Sequence, residues 1–174
     1  FGFGLSKEII EAAMRDLRGE PHDEAYEPDV QVPVATYIPD DYVEDLKQRL
    51  GFYKRFSVAR DRDEVLDTFA ALEDQYGMAP DSVEALKEVI LLKLALTEMR
   101  ADRLEANARQ VIIDLRQDTT LDPAKVMELI RSRAGKYSFK APRRVIAQLE
   151  GAEQQAILAG CSRVIRELQA CRKS

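Results

Sequence analysis

The sequence predicts an α+β fold in which helices pack around a central apolar helix beside a small, mostly antiparallel sheet. Two observations lead to this prediction. Helical periodicity dominates residues 40–99, whereas alternating apolar patterns, which are typical of strands, are grouped after residue 100. Helices that come first and strands that are grouped later favour α+β over alternating α/β. We expect strands near residues 30–38, 103–106, 110–115, 137–140 and 144–149.

The first residues differ in composition from the rest. Leu5–Arg18 has the periodicity of an amphipathic helix, and Gly19 ends it. The following residues, Glu20–Asp29, form an acidic linker with two prolines and the only histidine, His22. We therefore expect residues 1–25 to be a connecting helix and linker, and residues 26–174 to be the domain proper. Because the chain begins with phenylalanine, we also expect it to be a piece of a longer protein.

A strand and a helix are predicted next. Val30, Val32 and Val34 alternate with less apolar residues, and Pro33 favours a short or edge strand because it has no N–H to donate. Pro39 stops this strand. Asp40 and Asp41 then offer the capping oxygens of a helix start. The predicted apolar face of that helix comprises Val43, Leu46, Leu50 and Tyr53.

Two further helices follow. Asp61 is the expected N-cap of the first, with Glu64 reaching back to it, and Gly77 ends this helix. Its predicted inner residues are Val65, Phe69, Leu72 and Tyr76. Asp81 begins the second helix, and Val83–Met99 is apolar almost all round. A helix of that composition belongs in the centre of a core.

The remaining elements are predicted to be two strand pairs and two helices. A hairpin is expected around Asn107-Ala108, a helix is expected to begin at Asp122-Pro123, and a second strand pair is expected to turn at Ala141-Pro142. A last helix is predicted from Ala152 to about Cys171. Ten residues of helix separate Cys161 from Cys171 by about 15 Å, which is too far for a disulfide. Both fall on the apolar stripe of this helix, so we predict buried thiols.

The sequence favours no catalytic chemistry. It has no glycine-rich phosphate loop, no cysteine or histidine set with metal-ligand spacing, and only His22 for a catalytic triad. The paired carboxylates Asp40-Asp41 and Glu73-Asp74 are interpreted as caps and solvated surface. We expect a monomer that is not an enzyme and binds neither cofactor nor metal. No run approaches the ~20 apolar residues of a membrane span, so no membrane partner is expected.

The charge distribution keeps a second function open. Residues 125–174 carry a net charge of +7, and residues 1–124 carry −12. A basic C-terminal third can indicate a module that contacts nucleic acid. Few aromatic side chains for base stacking lie among these basic residues, so DNA binding is not the favoured interpretation. The residues of this possible basic patch are Arg131, Arg133, Lys136, Lys140, Arg143 and Arg144.

Three blocks carry a family resemblance: Ala-Thr-Tyr-Ile-Pro-Asp-Asp-Tyr-Val from Ala35, Gln-Arg-Leu-Gly-Phe-Tyr-Lys-Arg from Gln48, and Leu-Glu-Asp-Gln-Tyr-Gly-Met-Ala-Pro-Asp from Leu72. In this order and spacing they resemble the C-terminal domain of bacterial transcription-repair coupling factors. Upstream, Phe1-Gly2-Phe3-Gly4-Leu5 resembles the helix that enters this domain from the translocase motor. The resemblance covers nearly the whole chain and weakens after about Pro142.

The resemblance implies a function that the residues alone do not. It implies a cytoplasmic, non-catalytic regulatory domain within an ATP-dependent, helicase-like DNA translocase. The parent protein would remove stalled RNA polymerase and recruit nucleotide excision repair. The domain would fold back onto the N-terminal module of the same protein. There it would mask the surface that binds the A subunit of the Uvr excision nuclease (UvrA), until RNA polymerase is engaged.

The resemblance also suggests an interdomain interface. In the helix after Asp61, three- and four-residue steps place Glu64, Asp67, Ala71 and Asp74 on one stripe. The family implies that a carboxylate three residues before the Asp-x-aromatic-Gly block pairs with arginine on the partner domain. Here that position is Ala71, which departs from the pattern. Asp67 and Asp74, one turn to either side, are expected to take over. The alternative is a stripe that is only solvated.

Overall fold

The structure, a computed structural model, describes residues 26–174, and these residues form two compact units. The first holds Tyr26 and residues 35–91, and the second holds Glu27–Val34 and Leu92–Ser174. The predicted helix Leu5–Arg18, Gly19 and His22 lie outside the described residues. The proposed boundary between residues 25 and 26 therefore stays a prediction. No helix among the described residues is long and apolar enough to cross a membrane.

The first unit is helical. It contains α1 (Leu46–Val58), α2 (Arg62–Tyr76) and the first part of α3 (Asp81–Met99), which continues into the second unit. Seven side chains of α3 are buried, whereas Ile90, Leu91 and Leu94 of the predicted apolar helix are only partly buried. The buried side chains are Val83, Ala85, Leu86, Val89, Leu92, Leu96 and Met99. The largest hydrophobic side chains that are buried in α1 and α2 are Phe52, Tyr53, Phe56, Val65 and Leu72.

Helix α1 begins later than predicted, and a different face of it is buried. Asp45 is the N-cap instead of Asp40 or Asp41, and its carboxylate accepts the Lys47 N–H at 3.3 Å. Residues 40–43 form a turn, in which the Pro39 carbonyl accepts the N–H groups of Tyr42 and Val43. Because this turn uses the donors that a helix start would present, Asp40 and Asp41 have no helix to cap.

The predicted apolar face of α1 is half wrong. Val43, which precedes the helix, and Tyr53 are buried, but Leu46 and Leu50 are 46% and 45% exposed. Arg49 is buried instead, because its Nη1 donates to the Val43 carbonyl at 2.7 Å. The hydrogen bond satisfies part of a charged group that would otherwise lose its water. Hydrophobic spacing alone contains no sign of this exchange.

Helix α2 begins and ends as predicted. Asp61 accepts the Glu64 N–H at 2.9 Å, and the Glu64 carboxylate accepts the Arg60 N–H at 2.6 Å. The first bond satisfies a free donor of the first turn, and the second holds the residue that precedes the N-cap. At the other end Gly77 has φ +87°, a left-handed conformation that favours glycine. The Asp61 cap and the Gly77 end are confirmed, but the Glu64 carboxylate binds the N–H of Arg60 and not that of the N-cap residue Asp61.

The second unit contains the five-stranded sheet. Its strands are β1 (Asp29–Gln31), β2 (Ala101–Ala106), β3 (Gln110–Leu115), β4 (Tyr137–Lys140) and β5 (Arg144–Gln148), in the order β1-β2-β3-β5-β4. Only the β1–β2 pair is parallel, so the prediction of a mostly antiparallel sheet is confirmed. Strand β1 ends at Gln31 and does not continue to residue 38. Pro33 has no N–H, and the N–H of Val34 donates locally to the Val32 carbonyl at 2.9 Å.

The two helices of this unit are α4 (Pro123–Ser132) and α5 (Gln154–Gln169). Asp122 caps α4, with proline at the first helical position as predicted. Cys161 is fully buried within α5. The buried face continues beyond the last residue of the helix, where Cys171 is 6% exposed. Both cysteines are free, as predicted. The Tyr137 hydroxyl donates to the Glu167 carboxylate at 2.6 Å and ties β4 to α5.

We predict that Cys161 does not react with Ellman's reagent in the folded protein. Burial raises the pKa of its thiol to about 12, and the thiolate is the nucleophile. At pH 8 the thiolate fraction is on the order of one in ten thousand. Burial also raises the pKa of Cys171. The same assay should show two thiols per chain in denaturant. Fast reaction of Cys161 in the native protein would contradict the buried packing of α5.

Candidate functional site

The outer face of α2 carries unpaired carboxylates. Asp67 and Asp74 are exposed, and among the described residues neither accepts a hydrogen bond nor forms an ion pair. Ala71 between them is partly buried. Glu64 is exposed, but its carboxylate is occupied by the Arg60 N–H in the helix cap. Of the four residues predicted as an interface stripe, two therefore present free negative charge.

A third carboxylate belongs to this face and was missed. Asp63, Asp67, Ala70 and Asp74 follow steps of four, three and four residues, and all four are exposed. They lie opposite the buried residues Val65, Thr68 and Leu72. Asp63 also has no partner in the part of the chain that the structure describes. Shifting the predicted stripe by one residue at its start would have included it. We call Asp63, Asp67 and Asp74 the acidic stripe.

Aromatic contacts in the first unit fix the orientation of α2. The Tyr76 ring lies 5.9 Å from that of Tyr42 and 6.1 Å from that of Phe52, between ring centroids. Its hydroxyl also hydrogen-bonds the Gln48 amide oxygen. On the α3 side, Lys87 Nζ lies 4.4 Å from the centre of the Phe69 ring, a cation–π contact. These contacts fix α2 through Phe69 and Tyr76. The acidic stripe lies on the opposite, outer face of the same helix.

The loop after α2 presents an exposed methionine. Met78 is 90% exposed, and it follows Asp74 by four residues, just beyond the end of the helix. The loop itself is held on both sides of Met78. The Tyr42 hydroxyl donates to the Gly77 carbonyl at 2.6 Å, and the Glu73 carboxylate accepts the Ala79 N–H at 2.9 Å. Burial and the nearby Glu73 charge raise the pKa of Tyr42, which keeps its hydroxyl a donor. Sequence analysis did not single out Met78.

The predicted basic patch is largely neutralised by ion pairs. Arg131 pairs with Glu128 at 2.6 Å, and Arg133 pairs with Glu167 at 2.7 Å. Lys136 pairs with Glu150 at 2.8 Å, and Arg144 pairs with Asp114 at 2.7 Å. The structure thus does not bring the six cations together as one free basic surface. Lys140 and Arg143, the other two, line a pocket of the second unit together with Arg144.

This pocket has a volume of about 450 Å³ and lies where β2 and β5 begin and β3 and β4 end. Arg103 lines it, and the Nε of Arg103 is shielded from solvent without a hydrogen-bond partner among the described residues. An unsatisfied buried donor costs about 1–3 kcal/mol. Its Nη2 pairs with Glu105. The sequence prediction included Lys140, Arg143 and Arg144 but missed Arg103. Arg103 is 37 positions before Lys140, and the two residues line one pocket only in the folded sheet.

Neither surface has the composition of a metal centre. Within residues 26–174, no group of three or more histidine, cysteine, aspartate or glutamate side chains is placed to hold a metal ion. The acidic stripe and the pocket offer only fixed charges and hydrogen-bond donors. Such groups bind other charged groups.

Comparisons with known proteins point to one family. Residues 32–126 match the family model of the TRCF domain. The transcription-repair-coupling factor of Myxococcus xanthus is 39% identical over 171 residues, which is 98% of this chain and 14% of that protein. The corresponding protein of Haemophilus influenzae is 30% identical over 146 residues, 81% of this chain and 13% of that protein.

A solved structure is also similar. The crystal structure of the C-terminal domain of transcription-repair coupling factor matches with a TM-score of 0.72, covering 84% of this chain and 94% of that one. The sequence identity is 21%, so this similarity concerns the fold. The chain spans about one seventh of the length of the curated relatives that it matches.

Proposed function

The chain belongs to the TRCF domain family of transcription-repair coupling factors, and on that premise we propose that it is a regulatory domain that docks on another module of the same protein. The observation that carries the proposal is the acidic stripe, three exposed carboxylates without partners on a rigid helix. We propose arginine side chains of the N-terminal module as their partners, because a guanidinium binds a carboxylate through two parallel hydrogen bonds.

The stripe suits a reversible contact. Interdomain interfaces within one chain bury about 600–1,500 Å² and are fairly polar, so a few charge pairs weigh heavily in their stability. Ala71 supplies no charge at the position where the family suggests one. Asp67 lies one turn before it and Asp74 one turn after it, and both carboxylates are free to pair. Met78 adds an exposed apolar side chain beyond the end of the helix.

In the docked state the domain masks the surface of the N-terminal module that binds UvrA. The full-length parent acts in the cytoplasm as an ATP-dependent DNA translocase that removes stalled RNA polymerase. Engagement of the polymerase releases the domain and exposes the UvrA surface to nucleotide excision repair. The domain itself is monomeric and takes no part in ATP hydrolysis. It stabilises the closed conformation of the parent protein until RNA polymerase is engaged.

A binding experiment between separate domains tests the docking. We expect residues 1–174 to bind the purified N-terminal module, and we expect Asp67→Lys with Asp74→Lys to weaken that binding by about tenfold or more, because two attractive charges become repulsive. Isothermal titration calorimetry measures the dissociation constants. The double variant should keep the wild-type circular dichroism spectrum, because both positions are exposed.

The matched control is Asp41→Lys with Glu44→Lys. Both of these residues are exposed in the same unit and have no partner among the described residues, and the net charge changes equally. We expect the control to bind nearly as tightly as the wild type. Equal weakening by both pairs would contradict a specific role of α2 and leave only general charge attraction.

The nucleic-acid alternative is tested separately. Since four of the six predicted basic residues already form ion pairs, few free cations remain for phosphates. A gel shift of the chain at two salt concentrations distinguishes the alternatives, because binding through phosphate contacts falls steeply with salt. Salt-sensitive retention of DNA by this chain would favour the alternative over the docking role.

A further inference from the structure

The pocket of the second unit is a surface that the docking role does not use. It shares no residue with the acidic stripe, which lies in the first unit. Four cationic and two anionic side chains line it, so the lining has a net charge of +2. The charged lining residues are Asp102, Arg103, Asp114, Lys140, Arg143 and Arg144.

Both anionic residues of the pocket are already bound. Asp102 pairs with Arg116 at 3.1 Å. Asp114 accepts hydrogen bonds from Arg144 Nε at 2.7 Å and from Arg144 Nη2 at 3.2 Å. This two-pronged contact is the strong form of a carboxylate–guanidinium pair. It holds Arg144 against the sheet. The negative charges of Asp102 and Asp114 are thus both compensated by arginine side chains.

The cationic residues of the pocket are less fully used. Lys140 is exposed and makes no hydrogen bond or ion pair within the described residues. Arg143 donates its Nε–H to the Leu115 carbonyl at 3.2 Å. This bond fixes the side chain and leaves both Nη groups available as donors. The Arg103 Nε–H is buried and unsatisfied. Lys140 in β4 and Arg143 in the turn before β5 thus bring spare donors to one pocket.

We propose that this pocket binds a carboxylate side chain of an acidic peptide segment, held by Lys140 and Arg143. A volume of about 450 Å³ lies within the usual range of ligand pockets, about 300–1,000 Å³, and the spare groups are donors that suit an oxyanion.

The lining favours a peptide carboxylate over a nucleic-acid strand. Proteins hold single strands by stacking bases on aromatic side chains in a continuous basic groove. None of the nine residues that line this pocket is aromatic. The two bound aspartates also interrupt the positive charge, so the pocket matches an isolated negative group better than a run of phosphates.

The test uses residues 1–174 and a fluorescein-labelled octaglutamate peptide, with binding followed by fluorescence anisotropy at low salt. We expect saturable binding that weakens by about tenfold in Lys140→Gln with Arg143→Gln, because two charge contacts are lost. The matched control is Arg131→Gln with Lys136→Gln, which changes the net charge equally at exposed residues outside the pocket. We expect the control to change affinity by about twofold or less.

Each further result has a defined meaning. If the double variant unfolds, Lys140→Gln alone replaces it, because Lys140 has no partner to lose, and a drop of about threefold is expected. The absence of saturable peptide binding overturns the proposal, and so does an equal loss in the control pair. An oligothymidylate of matched charge serves as the second probe. Tighter binding of this oligonucleotide, lost in Lys140→Gln, assigns the pocket to nucleic acid and overturns the peptide assignment.

Discussion

Full-length coupling factor carrying Asp67→Lys and Asp74→Lys is expected to bind UvrA about tenfold more tightly than the wild type. Breaking a desolvated charge pair across an interface costs about 2–5 kcal/mol, whereas complete reversal of a closed-to-open equilibrium needs about 5.5 kcal/mol. Two such pairs therefore suffice to open most of the molecules. The masked surface is then free, and the apparent affinity rises with the open fraction. Surface plasmon resonance with immobilised UvrA measures this change.

This prediction separates docking through α2 from docking elsewhere. The control Asp41→Lys with Glu44→Lys reverses two exposed charges of the same unit and should leave UvrA binding near the wild-type value. Asp63→Lys, added to the double variant, should increase binding little further, because most of the molecules are already open. Unchanged UvrA binding by a folded double variant would assign the docked surface to another face of the domain.

Phe56→Ala is expected to lower the free energy of unfolding by about 3–5 kcal/mol. Phe56 is 1% exposed on the buried face of α1, and truncation removes a large apolar side chain and leaves a cavity. Urea denaturation followed by far-ultraviolet circular dichroism measures the loss. If the variant does not fold, Phe56→Leu serves in its place, with a smaller expected loss of roughly 1 kcal/mol.

The control for Phe56 lies on the same helix. Leu50 belongs to the face that hydrophobic spacing predicts as buried, yet it is 45% exposed. We expect Leu50→Ala to cost less than about 1 kcal/mol, since alanine is the better helix former and little burial is lost. Comparable losses in the two variants would mean that the face predicted from spacing is the buried one after all.

Local chemistry in the sequence determined the elements whose ends are defined by one or two residues. The N-terminal N–H groups of α2 and α4 are capped by side chains from nearby residues, Asp61 in α2 and Asp122 before Pro123 in α4. Gly77 ends α2 in the same local way. Asn107 likewise closes the β2–β3 hairpin through its own side chain, which accepts the N–H groups of Arg109 and Gln110. Such bonds depend on neighbours in the chain, and they can be predicted without the fold. The three sequence blocks that carry the family resemblance are equally local.

Tertiary structure alone decided which charges are free. Asp63, Asp67 and Asp74 on α2 could each have paired with a basic residue of another element, yet none of them has a partner among the described residues. The basic residues near the C-terminus were predicted as one patch, but Glu167, Glu150 and Asp114, which are 14 to 34 positions away in the chain, pair with Arg133, Lys136 and Arg144. The buried Arg49 and the exposed Leu46 in α1 have the same origin. The free energy of a charge or an apolar side chain depends on the atoms that replace its water, and residues distant in the chain supply those atoms.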